Sequence, residues 1–277
     1  MDVKVLTDED TSMSLRFDDT DPTIVNSIRR TLLADVPKMA IEDVEFHLGP
    51  IRGEDGKEYE SVAPLFDEII SHRLGLVPIP TDLQLYVPKA TCPNCHGEGC
   101  SNCSIIYSLN KRGPGIVTSG DLEPIGDPKL KPKDAQIPIV KLGDGQALLI
   151  YATAILGTGR DHAKWQVAHG VGYSFATVLK AGGKSFEAQD AKVPPCPDHI
   201  LRPGNEEATV ELRAECKNCR KFSDAYDVKS VKVFNDPTKI RLQFETDGSL
   251  SARDTLIAAL DILEKRFADL AGKAELL

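Results

Sequence analysis

The chain has 277 residues, 41% hydrophobic and 27% charged, with 42 Asp and Glu against 33 Lys and Arg for a formal net charge of −9. That size and apolar content suffice to bury one or two cores, while the acidic balance repels phosphate backbones and excludes a general nucleic-acid-binding surface. No apolar run reaches the roughly 18 to 20 residues of a membrane span, and the start "MDVKVLTDEDTSMSLRF" lacks the basic and apolar parts of a secretion signal, so a cytoplasmic protein with protein partners is expected.

In chain order, "DVKVLTDEDTSMSLRF" alternates apolar and polar residues as a half-buried strand does. "DPTIVNSIRRTLLADVP" reads as a helix: Asp21 caps it, Pro22 suits the first turn, and Pro37 stops it. Its apolar face is read from Ile24, Ile28 and Leu32 at spacing four, beside Val25 and Leu33. Arg29 and Arg30 are adjacent on it and, taken alone, read as a solvated basic face. "MAIEDVEFHL" returns to strand alternation, and a short helix from Asp67 to Leu74 ends near Gly75 and Pro78.

"TCPNCHGEGCSNC", residues 91 to 103, holds four of the seven cysteines. In a reducing cytoplasm an odd cysteine count argues for metal rather than a disulfide framework. Cys92 and Cys95 form one Cys-x-x-Cys pair and Cys100 and Cys103 another, with Gly97 and Gly99 free to reverse the backbone between them. Four thiolates on one tetrahedral ion leave no open coordination position, so the expected site is structural zinc that staples a loop. His96 could replace one sulfur, and a cubane iron–sulfur cluster or redox thiols remain as alternatives.

The stretch that follows reads as mostly β, with "HAKW" at 162 to 165 taken as strand carrying a packed indole. Residues 180 to 225 lack strong periodicity except in "EATVEL" and read as a small inserted domain, with "GKS" at 183 to 185 a loop. Cys196, Cys216 and Cys219 fall in this stretch, and the next position in that spacing is Phe222. Three thiolates could hold a three-iron cluster, or zinc with His199, or nothing.

Near the end, "DVKSVKVFNDPTKIRLQFETDGSL" reads as a hairpin turning at "NDPT". A helix follows, capped by Ser251 with Asp254, with Leu256, Leu260, Leu263, Phe267 and Leu270 down one side. Periodicity alone assigns that stripe to the chain's own sheet. The histidines are scattered, and no catalytic constellation assembles.

Four segments carry a resemblance: "NSIRRTLLADVPKMAIEDVEF" at 26 to 46, "FDEIISHRLGLVPIP" at 66 to 80, "GRDHAKWQ" at 159 to 166 and "GSLSARDTLIAALDILEKRF" at 248 to 267. In order, and over essentially the whole chain, they resemble the α-like subunits of multisubunit RNA polymerase. The similarity is strongest to the archaeal form, which is related to the third-largest subunit of eukaryotic polymerase II and to bacterial α.

The resemblance implies an α+β fold with a discontinuous α-like dimerisation domain (residues 1–47 and 226–277). It also implies a β-rich insert domain (48–179) with the zinc-like loop 92–103, and a small ferredoxin-like or degenerate iron–sulfur insertion (180–225). By the same resemblance, the first and last helices pair with a smaller L-like subunit, which reverses the assignment of the last helix. Arg29, Arg30, Leu256, Leu260, Leu263 and Phe267 become partner-interface residues. The pair would nucleate assembly of the two large catalytic subunits, with small subunits joining and no direct DNA or membrane contact. This chain would be a noncatalytic part of a nucleotidyltransferase. The resemblance supports zinc at Cys92, Cys95, Cys100 and Cys103. It matches an iron–sulfur run at Cys196, Cys216 and Cys219 but departs at Phe222, which leaves a [3Fe-4S] cluster or an empty vestige. The rivals from other classes are a stand-alone iron–sulfur redox protein and a zinc-dependent binding module.

Overall fold

The computed structural model describes residues 1–52, 56–187, 208–212 and 216–275. The chain opens with strands β1 (Asp2–Asp8) and β2 (Ser12–Asp18), helix α1 (Pro22–Ala34) and strands β3 (Pro37–Phe46), β4 (Pro50–Arg52) and β5 (Glu58–Glu60). Helix α2 (Asp67–Gly75) follows, then strands β6 (Ser104–Arg112), β7 (Gly115–Thr118), β8 (Glu123–Pro124), β9 (Pro138–Leu142) and β10 (Ala147–Thr158). The last part holds β11 (Ala168–Ala181), β12 (Lys184–Glu187), β13 (Ala208–Glu211), α3 (Lys217–Tyr226), β14 (Ser230–Thr246) and α4 (Ala252–Ala274). The architecture is mixed α/β and sheet-rich, with four α-helices among the described residues.

Two compact units result: residues 1–8, 13–29 and 172–243 form one, and residues 9–12, 30–171 and 244–277 the other. The first is built on a sheet of order β1-β2-β14-β11-β12, with β13 paired to β14. Met13, Leu15 and Phe17 are buried on alternate positions of β2, as a strand with one covered face requires. The β11–β12 hairpin closes at Ala181↔Lys184 through Gly182 and Gly183, both at positive φ (55° and 77°), the conformation a two-residue hairpin turn demands. "GKS" is therefore a hairpin turn running into β12, rather than a loop. The described residues of 180–225 lie within this same unit, and β12 and β13 are strands of its sheet.

The "NDPT" segment does not turn. Strand β14 runs unbroken through it for 17 residues. A tight hairpin needs residues at positive φ, and among the described residues the non-glycine ones at positive φ are Asp19, His96 and Asp227, none of them in 235–238. Asp236 instead spends its carboxylate locally, accepting from the Thr238 N–H at 3.0 Å and the Thr238 hydroxyl at 2.6 Å.

Helix α1 is capped as its sequence predicts, with the Thr23 N–H donating to Asp21 Oδ1 at 2.7 Å. Its buried apolar residues are Val25, Ile28 and Leu32, whereas Ile24 is 46% exposed. A repeat of strictly four drifts by about 40° per step around a helix, so the 3–4 spacing follows the covered face better.

The second unit centres on the antiparallel sheet β3-β10-β6-β8. Met39 and Ile41 of β3, Ile105, Tyr107 and Leu109 of β6 and Ile150, Ala152 and Ala154 of β10 form one apolar core with Ile70 and Leu74 of α2. "HAKW" is a one-turn helix, not a strand, because His162 Nδ1 accepts from the Lys164 N–H and caps it. Trp165 is nonetheless packed, 7% exposed. In α4 the Ser251 hydroxyl oxygen accepts from the Asp254 N–H at 3.0 Å. The buried residues of this helix are the small Ala252, Thr255 and Ala259.

Candidate metal centre and partner-facing helix

The cysteine loop is tied at both ends. Val87 donates its N–H to Asn102 O at 3.1 Å, and Cys103 leads directly into β6. Each Cys-x-x-Cys pair folds back on itself, with the His96 N–H donating to Cys92 O at 3.0 Å and the Ser104 N–H to Cys100 O at 2.9 Å. Between them His96, Gly97 and Gly99 all take positive φ (50°, 101° and 105°), which reverses the chain twice within four residues.

The reversals bring all four sulfurs within 4.8 Å of one another. Cys92 and Cys100 Sγ lie 3.7 Å apart, Cys95 and Cys103 3.5 Å, and Cys100 and Cys103 3.9 Å. A tetrahedron with metal–sulfur bonds of about 2.3 Å has edges of about 3.8 Å. These three spacings are therefore those of a tetrahedral thiolate cage around a single ion. His96 is exposed and stands outside the converging set.

The electrostatics point the same way. Burial alone would raise the Cys95 thiol, yet the N–H groups of Gly99 and Gly97 draw it down to about 6. Burial pushes the Cys103 thiol up to about 12. Cys92 and Cys103 are 1% and 0% exposed, so all four cysteines can ionise together here only with a cation to offset their charge. The donor set fits a structural zinc ion, and zinc bound there would cross-link the two halves of the loop.

The second cysteine group is described in part. Cys196 lies outside the described residues. Cys216 sits at the N-cap of α3 and is half-buried, and Cys219 is buried in an apolar cluster with Phe222, Leu179, Val231 and Val233.

Of the expected interface residues, Arg29 donates through Nε to Asn26 Oδ1 at 3.0 Å, and Arg30 is exposed. Leu256 and Leu263 are half-buried, while Leu260, Phe267 and Leu270 are 43%, 64% and 62% exposed. The five recur at spacings of four, three, four and three, which places them on one side of α4 as in a helix–helix seam. The structure thus brings together the zinc-like cysteines and leaves an apolar helix face uncovered.

Sequence reasoning missed the charged pairs. Lys38, with a side chain 3% exposed, is ion-paired to Asp247. Asp35 holds both Arg160 and Arg266. The only sequence signal for the second was the position of Arg266, which continues the small-residue arc of α4.

The sequence matches the family model for the RNA polymerase Rpb3/RpoA insert domain over residues 51–173. It is 47% identical over 250 residues to DNA-directed RNA polymerase subunit Rpo3 of Picrophilus torridus, covering 90% of each chain. The Rpo3 subunits of Thermoplasma volcanium (43% over 267 residues, 96% of this chain and 97% of the relative) and Methanosarcina acetivorans (34% over 279 residues, 99% and 96%) match across nearly their whole lengths. With whole-length matches at these identities, this chain belongs to the Rpo3 family, the RpoA/Rpb3-like α subunits of archaeal DNA-directed RNA polymerase.

Proposed function

We propose that this chain is a noncatalytic assembly scaffold of the polymerase. It pairs with a smaller L-like subunit through the outward face of α4, together with the α1 segment that carries Arg29 and Arg30. The pair then nucleates assembly of the two large subunits that carry out nucleotidyl transfer, in the cytoplasm and without direct DNA contact from this chain. The observation that carries the reading is the uncovered stripe of Leu260, Phe267 and Leu270 on a helix whose docked face is made of small residues. Obligate interfaces have this core-like apolarity. No helix among the described residues is long and apolar enough to cross a membrane.

The test is coexpression with an L-like subunit. A one-to-one complex is expected, and Leu260→Asp, which would bury an unpaired carboxylate at the seam, is expected to abolish it. Leu260→Met is expected to be tolerated. An undiminished complex with the aspartate variant would overturn the assignment.

The cysteine loop, in this reading, is a zinc staple on the insert domain. For Cys196, Cys216 and Cys219 the proposal is a three-iron cluster, which iron and sulfide analysis of anaerobically purified protein tests directly.

A further inference from the structure

Helix α4 carries two apolar arcs of unequal bulk. Ala252, Thr255 and Ala259 are buried, and Ile262 and Arg266 continue that arc by helical spacing. Leu256, Leu260, Leu263, Phe267 and Leu270 occupy the neighbouring arc, about 80° away around the axis. A roll of the helix by that angle would exchange alanines for leucines against the body of the unit. Hydrophobic burial favours that exchange, so the observed setting needs a directional restraint.

Asp35 supplies one. Arg266 Nη1 donates to its Oδ2 at 2.6 Å, and Arg160 donates to its Oδ1 through Nη2 at 2.7 Å and Nε at 3.1 Å. The Asp35 side chain is 8% exposed, so both carboxylate oxygens are taken, in a partly desolvated place, by guanidinium groups from two separate elements. Both sides of the contact are fixed to the end of α1. The Asp35 N–H donates to Thr31 O at 2.9 Å, and the Arg160 N–H donates to Ala34 O at 2.9 Å. Gly159, next to Arg160, has no room for a side chain, because a Cβ would lie 2.4 Å from Leu33 O. Beyond Arg266 every residue of α4, 267 to 274, is exposed.

We propose that Asp35, Arg160 and Arg266 form a clamp that sets the azimuth of α4, holding its large apolar residues outward as a preorganised docking face for the smaller α-like subunit. The three are positioning residues. The inference rests on the dimer reading above and deepens it. Holding the seam in its bound orientation lowers the ordering cost of association, and the two-pronged contact from Arg160 fixes the direction of the Asp35 carboxylate as a lysine would not.

The dissociation constant of the coexpressed complex tests the clamp, together with hydrogen exchange of residues 260–274 and zinc content as a fold control. Asp35→Asn and Arg266→Gln are each expected to weaken association at least tenfold and to lose protection in α4 while retaining zinc. The double variant is expected to be no weaker than the poorer single one, since both break the same contact. Association within twofold of the parent in both single variants would overturn the proposal. If Asp35→Asn does not fold, Arg160→Lys decides: it keeps the charge and loses the two-pronged contact, so at least a threefold loss supports the clamp and none overturns it. Leu260→Asp, run in parallel, separates the two ways of failing. Silent clamp variants beside a disrupted Leu260→Asp complex sink the clamp alone, whereas an intact Leu260→Asp complex sinks the seam.

Discussion

Gly157 and the Trp165 indole face each other so closely that a Cβ on the glycine would lie 2.4 Å from Cδ2 and Cε2 of the ring. The indole cannot retreat without loss, because its Nε1–H donates to Ile155 O at 3.1 Å and Lys164 Nζ sits 4.3 Å from its ring centroid. Lys164 is itself tied to Ile41 O at 3.1 Å. Gly157→Ala is therefore expected to destabilise the fold by about 1 to 3 kcal/mol, the usual cost of overpacking. Trp165 is the only tryptophan, so denaturant unfolding followed by its fluorescence reads the change directly. Parent-like stability would show that the indole is not held.

The thiolate cage makes a sharper demand. Cys92→Ser and Cys100→Ser each remove one of four ligands and are expected to drop bound zinc well below one per chain, with residues 92–103 losing hydrogen-exchange protection. The strands of the first unit are expected to keep theirs. Stoichiometric zinc in both variants would rule the site out.

Acid sensitivity is expected from Glu187. The Arg16 guanidinium, followed by Lys239, holds its carboxyl below the ordinary glutamate value despite the opposing effect of burial. A carboxyl whose folded value is depressed contributes stability above its unfolded value, and that contribution is lost as pH falls through the folded one. The difference in stability between the parent and Glu187→Gln is thus expected to be full near neutrality and to shrink as pH drops below about 4. Urea midpoints measured across that range check it, and a pH-independent difference would contradict the pairing. Asp35, drawn down chiefly by its bond to Arg266, is expected to follow the same sign.

Phe222 looks in the sequence like a missing fourth cysteine, and Phe222→Cys like a route to a four-iron cluster. Its position argues for a different outcome. The ring is 2% exposed, tilted against Tyr226 with centroids 4.7 Å apart, and packed in the cluster that holds Cys219. Phe222→Cys is expected to cost about 3 kcal/mol, near the low end for deleting a buried phenylalanine. Chemical denaturation with parallel iron analysis distinguishes the two, since a four-iron form at unchanged stability would mean the ring does not support this core.

What the sequence determined by itself were the features written in short-range chemistry. The caps at Asp21 and Ser251 and the end of α2 near Gly75 are local hydrogen-bonding and backbone preferences that any context would honour. The paired Cys-x-x-Cys turns belong with them, because thirteen residues contain all four converging sulfurs and the glycines between them. Tertiary structure decided what depends on partners far along the chain. "NDPT" has turn composition, yet flanking strands on both sides of β14 keep it extended, since ladder hydrogen bonds outweigh a weak local preference. The amphipathic pattern of α4 was legible, but which of its two arcs faces the body was not. That choice is set by an ion pair between Asp35 and Arg266, 231 residues apart, and nothing periodic in the helix pattern names its distant partner.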